Sequence, residues 1–320
     1  MAQPTNTYSS YDQVGIREDL TDVIHDVSPT DTPFYSSAAK TKATNTYHEW
    51  QTDALRAAAN NAHIEGDDTV ATSRSATTRL GNYTQIFKDA VQTTGTDMAL
   101  NKAGRGDEMD YQLVKVGYEL RLDIEKALLD NNARVAGSDV VARELAGVPA
   151  WLYTNTEFES GNSGADPTGD GTDARTDDGT PVAFSQTRLN SCLQSIWENS
   201  NRTGNLTVLL NAFQMTKALT FTGNNNQRAT VQASGNKVVN VIDVYMTPWG
   251  TVDFVMSRHV RARDVLVLDM GMWKVAQARG FVTEPLAKTG DNEKKQIVTE
   301  LTLESCNEKA SGGVFDNLTS

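Results

Sequence analysis

The stretch Asp107 to Asn132, DEMDYQLVKVGYELRLDIEKALLDNN, constrains this chain most. Apolar residues fall at Met109, Leu113, Val116, Leu120, Ile124 and Leu128, in steps of four, three, four, four and four. That spacing predicts one continuous stripe along an α-helix. Asp107 follows Gly104-Arg105-Gly106 and can cap the first free amides; Glu108 and Asp110 suit the positive N-terminal end of the helix dipole. At about 1.5 Å per residue, roughly 26 residues span about 39 Å, enough to cross a whole domain. The opposite face carries Lys115, Glu119, Arg121, Asp123 and Lys126, so it meets water or another subunit.

What surrounds this spine is unusually polar. In 320 residues the hydrophobic share is 38%, low for a compact enzyme of this length, so a thin subunit completed by its neighbours is expected. A net charge of −12 argues against a protein that coats nucleic acid, because gripping phosphates needs clustered Lys and Arg. It remains compatible with enclosing nucleic acid. Cys192 and Cys306 lie far apart, have no metal-ligand spacing, and read as two free buried thiols in a reducing compartment. No apolar run approaches the ~18 residues of a membrane span, and the polar start MAQPTNTYSSYDQVG does not read as a signal peptide.

Taken in order, residues 1–17 read as an extended arm and 18–27 as a short helix stopped at Ser28-Pro29. Thr30 to Phe34 predicts a tight turn that aims an aromatic inward. Residues 45–52 predict a strand, with residues 82–94 as its partner. The polar stretch 53–81 between them is too long for an ordinary internal connection. It reads as a two-stranded arm reaching from the body to lie on a neighbouring subunit, since an isolated hairpin is marginal in water. Residues 156–184, rich in Gly, Asp and Thr, predict an exposed insertion loop. Ser185 opens a second helix with Leu189, Cys192, Leu193, Ile196 and Trp197 at helical spacing. Then come a strand at 206–210, a helix at 212–220, a polar loop at 223–235, and strands at 238–246 and 251–257. Residues 265–270 and 272–278 form a further pair broken at Gly271, and a last strand covers 295–305. In that last strand Ile297, Leu301 and Leu303 face inward, and Gln296, Glu300 and Glu304 face out. The class is α+β, with antiparallel strands and no βαβ rhythm.

No constellation of acid, base and nucleophile emerges, so no catalytic, cofactor-binding or metal residues are assigned and no enzyme is expected. The four histidines, His25, His48, His63 and His259, have no metal spacing; His48, beside Glu49 and Trp50, reads as structural. Gly169-x-Gly171-x-x-Ala174 matches a loose dinucleotide fingerprint but follows no strand. Asp166, Thr168, Asp170, Gly171 and Asp177 fall near places of a calcium loop, yet the third place is weak, the twelfth is Asp, and flanking helices are absent. A solvated acidic loop is the expected reading. Arg17, Glu49, Arg56, Glu65 and Lys288 are candidate rim charges.

Certain stretches together resemble a known family: Ser28-Pro-Thr-Asp-Thr-Pro-Phe34, Tyr47-His-Glu-Trp-Gln-Thr-Asp53, Asn82-Tyr-Thr-Gln-Ile86, Asp123-Ile-Glu-Lys-Ala-Leu-Leu-Asp130, and Leu286 to Asp291 leading to Glu300-Leu-Thr-Leu-Glu304. From about Asp19 to Glu308 the chain resembles the major capsid proteins of tailed bacteriophages with the Hong Kong 97-type fold. The resemblance implies an N-terminal arm (1–45), an extended loop (46–92), a peripheral domain with the spine helix (93–155), the insertion (156–184), an axial domain (185–262) and a return to the peripheral domain (263–320). It implies pentamers and hexamers of this chain closing into an icosahedral head around double-stranded DNA, without sequence-specific binding. The implied partners are further copies of the chain, a portal protein and decoration or cement proteins, with no membrane and no cofactor. The virion is the implied location, after assembly in the host cytoplasm. Some members of the fold bond an extended-loop lysine to an asparagine of another subunit; residues 53–78 here hold no lysine, and Lys88 is the nearest downstream, so a non-crosslinked shell is expected. An encapsulin-like compartment and a phage decoration or adhesin protein are the alternative readings.

Overall fold

The computed structural model describes residues 28–319 except 69–70, 72, 103, 105, 159–163, 201–204 and 222–243. Its helices are α1 (Pro33–Ser37), α2 (Gly95–Ala99), α3 (Glu108–Leu129), α4 (Gln186–Asn199) and α5 (Ala212–Ala218). Its strands are β1 (Ala39–Lys42), β2 (Tyr47–Thr52), β3 (Thr78–Tyr83), β4 (Gln85–Thr94), β5 (Thr156–Glu157), β6 (Leu206–Leu210), β7 (Val244–Thr247), β8 (Gly250–Met256), β9 (Val265–Leu268), β10 (Trp273–Pro285), β11 (Asn292–Ser305) and β12 (Gly312–Val314). The expected arm at 1–17, helix at 18–27, loop at 223–235 and first part of the strand at 238–246 lie outside the described residues.

The spine forms as its spacing predicts. The Asp107 carboxylate accepts from the Met109 amide at 2.7 Å and α3 runs 22 residues from there. Met109, Val116, Leu120, Ile124 and Leu128 are buried, and Lys115, Glu119, Arg121, Asp123 and Lys126 are all exposed. The helix packs on β4 and β11 of a four-stranded sheet ordered β1-β10-β11-β4, in which β1 runs parallel to β10 and the other pairs are antiparallel.

A six-stranded sheet, ordered β5-β12-β9-β6-β8-β7, joins two hydrophobic cores. In β9, Leu266 and Leu268 face the spine core while Val265 and Val267 face a second core under α4. In β6, Leu209 faces the first and Val208 and Leu210 face the second. A strand buried on both faces needs a continuous apolar run rather than alternation, and VLVL supplies it. Ser185 caps α4, and Leu189, Cys192, Leu193 and Ile196 are buried beneath it. Burial pushes the Cys192 thiol up to about 12.

The structure corrects several expectations. The partner of β2 is β3, at 78–83; residues 85–94 pair instead with β11. Residues 265–268 and 273–285 belong to different sheets, parted by the turn at Met270–Met272. The strand at 292–305 is followed by β12. Trp197 is 52% exposed rather than part of the buried stripe. Cys192 is buried but Cys306 only partly so. Glu300 and Glu304, expected to face solvent, are buried under cations: Arg143 and Arg279 hold Glu300, at 2.9 and 3.0 Å, and Lys274 holds Glu304 at 3.3 Å. The expected turn before Phe34 is the entry to α1, and Phe34 is fully buried, edge-on to Trp273 at 6.4 Å.

Candidate assembly surfaces

Three features extend from this body or fasten its outlying segments. The first is the loop between β2 and β3. Only Tyr47–Thr52 and Thr78–Tyr83 pair, so the expected two-stranded arm is a short ladder carrying an irregular tip. Every described residue from 53 to 79 is exposed, Leu55 by 98% and Ile64 by 84%. A surface leucine needs no explanation singly. Leu55 and Ile64 together, on a segment whose described residues have no regular structure between the two strands, mark surface that its own subunit does not cover.

The root of this loop is built to hold it out. The Asn82 side chain, fully buried, accepts from the Ala146 amide at 2.9 Å and donates to the carbonyls of Leu303 at 3.0 Å and Ala146 at 3.3 Å. Trp50 packs on buried Trp151 with ring centroids 5.3 Å apart. His48 Nε2 lies 3.2 Å from Glu304 on β11, which gives His48 the structural role expected of it. His48, with Cys306 and Lys274 assisting, holds the Glu304 carboxyl down to about 2, from an ordinary 4.5. Because this carboxyl is depressed in the folded state, its contribution is complete above pH 4.5 and lost as pH falls through about 2. Glu304→Gln is therefore expected to flatten the fall in Tm between pH 4.5 and 2; an acid profile identical to the parent's contradicts this reading of the root.

The second feature fastens the N-terminal segment. Glu125 projects from the spine, fully buried, and its two oxygens accept from the Phe34 and Tyr35 amides at 2.9 and 2.7 Å. These are orphan amides at the start of α1, so the spine caps a helix about ninety positions upstream. Burial raises the Glu125 carboxyl, against the pull of the two amides and Lys40. Lys40 closes the arrangement, its ammonium 3.5 Å from the Tyr35 ring centroid.

The third is the insertion, which is not the freely solvated loop expected. Arg175, 3% exposed, pairs with Asp166 and lies 3.5 Å from the Phe315 ring centroid. Ala165 bridges Thr176, and Asp177 pairs with Arg261 and Arg263. The carboxylates of the calcium pattern take partners within the protein. Asp166 goes to Arg175, Asp177 to Arg261 and Arg263, and Asp170 takes the Thr172 amide at 2.8 Å and the Thr168 hydroxyl at 3.0 Å. Gly169 and Gly171 serve packing: Gly171 has φ +80, and a Cβ there would sit 2.8 Å from the Trp151 ring.

The candidate rim charges scatter. Glu49 pairs with Arg79 at 3.1 Å and Arg56 donates to the Ala57 carbonyl at 3.0 Å; Glu65 and Lys288 are exposed, and Arg17 lies outside the described residues. His25 also lies outside them, and His63 sits in the exposed loop beside Asn61 and Asp67. Glu125, Asn82 and Arg175 were not singled out by sequence reasoning. Apart from the Arg175–Asp166 pair, nine positions apart, their partners lie tens to hundreds of positions away, so no local spacing announces them. Among the described residues no helix is long and apolar enough to cross a membrane, and no group of three His, Cys, Asp or Glu side chains could hold a metal ion.

A long spine helix on a largely antiparallel sheet, a second sheet and an exposed loop between β2 and β3 give the fold of a capsid subunit of the Hong Kong 97 type. The chain matches the capsid of a native GTA particle with a TM-score of 0.64, covering 97% of this chain and 98% of that one at 8% identity. It matches the Cyanophage A-1(L) capsid asymmetric unit with a TM-score of 0.61, covering 95% and 98% at 13% identity. The model of the SU10 major capsid protein family matches residues 3–319, and the chain belongs to that family. Over 170 residues it is 38% identical to the major capsid protein of Escherichia phage Phieco32, covering 52% of this chain and 47% of that protein. The chain thus matches about half the length of this curated relative.

Proposed function

We propose that this chain is the major capsid protein of a tailed phage and acts mechanically. Its copies form pentamers and hexamers that close into an icosahedral head around double-stranded DNA. The observation that carries this reading, beside family membership, is the exposed stretch 53–79 with Leu55 and Ile64 uncovered by its own subunit. Such a stretch is stabilised when a neighbouring copy buries it, and each copy then both gives and receives a loop. Residues 1–45 would act as an arm and 46–92 as the extended loop. Residues 93–155 and 263–320 would form the peripheral domain and 185–262 the axial domain, with 156–184 fastened where they meet. The net charge of −12 suits a wall that encloses DNA without gripping it. A portal protein is the further partner this role calls for, decoration or cement proteins are optional additions to it, and the virion is the location.

Nuclease treatment of purified particles tests the cargo: protected DNA supports a phage head, and an enclosed protein supports an encapsulin-like compartment instead. A shell without covalent crosslinks is expected, because residues 53–78 hold no lysine and Lys88 lies on β4 in the four-stranded sheet. Particles boiled in denaturant should run as a single monomer band, and a ladder of oligomers would overturn this.

A further inference from the structure

The spine carries a second stripe, on another face than its main core stripe. Tyr111, Val114, Tyr118, Leu122, Glu125 and Leu129 follow one another in steps of three, four, four, three and four, so they share one side of α3. The two halves of that side differ. Glu125 and Leu129 are fully buried, and α1 sits on Glu125 through the Phe34 and Tyr35 amides. Toward the helix start, Val114 is 62% exposed and Tyr118 45%, with Tyr111 and Leu122 partly buried. Bare apolar side chains on consecutive turns, in line with a covered stretch, leave an interface half filled.

The described residues begin at Ser28, six positions before Phe34, so the chain upstream of α1 leaves from the covered half. Six residues extend to about 20 Å, and Tyr118 lies about 10 Å along the helix axis from Glu125. The bare half is therefore within reach of the segment that precedes Ser28. In that segment Leu20, Val23, Ile24 and Val27 recur in steps of three, one and three, a single helical stripe. A helix over 18–27 is about 15 Å long, and Tyr111 to Leu122 span about 16 Å of α3. So short a helix does not hold in water alone and needs an apolar surface to pack on. The charges agree. Lys115 and Arg121 border the α3 stripe on its two sides, while residues 18–27 carry Glu18, Asp19, Asp22 and Asp26 and no lysine or arginine.

We propose that residues 18–27 form a helix that packs on the outer face of the same subunit's spine, seating Leu20, Val23, Ile24 and Val27 over Val114, Tyr118 and Leu122. This helix and α1 together cover one continuous side of α3, and the arm is stowed on the subunit that carries it. The contact is internal to one subunit, so it forms whether or not copies assemble into a shell.

Hydrogen exchange of the full 320-residue chain, held as free subunits by dilution, tests this. Amides of 18–27 should exchange at least about tenfold more slowly than in an unstructured peptide of the same sequence, and equally so at every subunit concentration. Val114→Asp with Tyr118→Asp, both at exposed positions, should abolish this protection while β11 stays protected. Ile24→Asp, which leaves the body of the subunit untouched, should do the same. Amides of 18–27 that exchange like a free peptide in the parent chain overturn the proposal, and so does protection that survives either change. Protection that rises with concentration, or that appears only in particles, makes a second copy the partner of this face and overturns it too.

Discussion

Changing Leu55 and Ile64 together to aspartate is expected to leave the subunit folded and to stop it assembling. In the free subunit both side chains stand in solvent, so their replacement should shift stability by no more than about 0.5 kcal/mol. In the proposed shell each becomes an anchor worth about 1.5–3 kcal/mol on burial, and an aspartate in its place adds an unpaired charge. A loss of about 3–6 kcal/mol per loop weakens each contact by roughly two to four powers of ten. The loss recurs at every copy around a ring. Gel filtration gives the assembly state and thermal unfolding gives the fold. Particles of normal size from a normally folded double variant would remove this loop from the account of assembly.

The second large effect is expected at Glu125→Ala. Two amides at the start of α1 lose their acceptor in a buried place, at about 1–3 kcal/mol each. Lys40 loses its counter-charge, and a small void opens beside Phe34. A cost of about 2–5 kcal/mol is a large share of a marginal stability. Chemical denaturation should show a lower midpoint with an unchanged slope. The same measurement on Glu125→Gln should give a smaller loss, because one oxygen remains to accept. A change below about 0.5 kcal/mol in the alanine variant would mean that α1 is held by Phe34 and Trp273 alone.

Where one physical effect acts locally, the sequence predicts well. The α3 stripe, its Asp107 cap and its charged outer face follow from helical spacing and are found as expected. The α4 cap at Ser185 and the apolar β6 follow likewise. Pairing is where local reasoning goes astray. β3, TRLGNY, carries a single aliphatic residue, Leu80, so it reads as loop, and the apolar stretch after Thr84 attracts the assignment instead. Tertiary context overrides strand propensity in this way. The insertion departs from its expected form for a different reason. Its Asp and Gly content signals solvent, but Arg175, Arg261 and Arg263 fold it inward through charge rather than apolar burial. Glu125, Glu300 and Glu304 follow the same rule: a carboxylate reads as surface until its partners, far off in the chain, are known. Of the assembly surfaces, the sequence indicates a projecting loop, while the Asn82 and His48 root that carries it depends on β11, more than two hundred positions downstream.

The central claim is that this chain builds a shell, and electron microscopy of the purified protein after gel filtration tests it most directly. Closed particles or ring-shaped capsomers are the predicted result. A compact, monodisperse monomer in every buffer, with no assembly at high salt or high concentration, would contradict it.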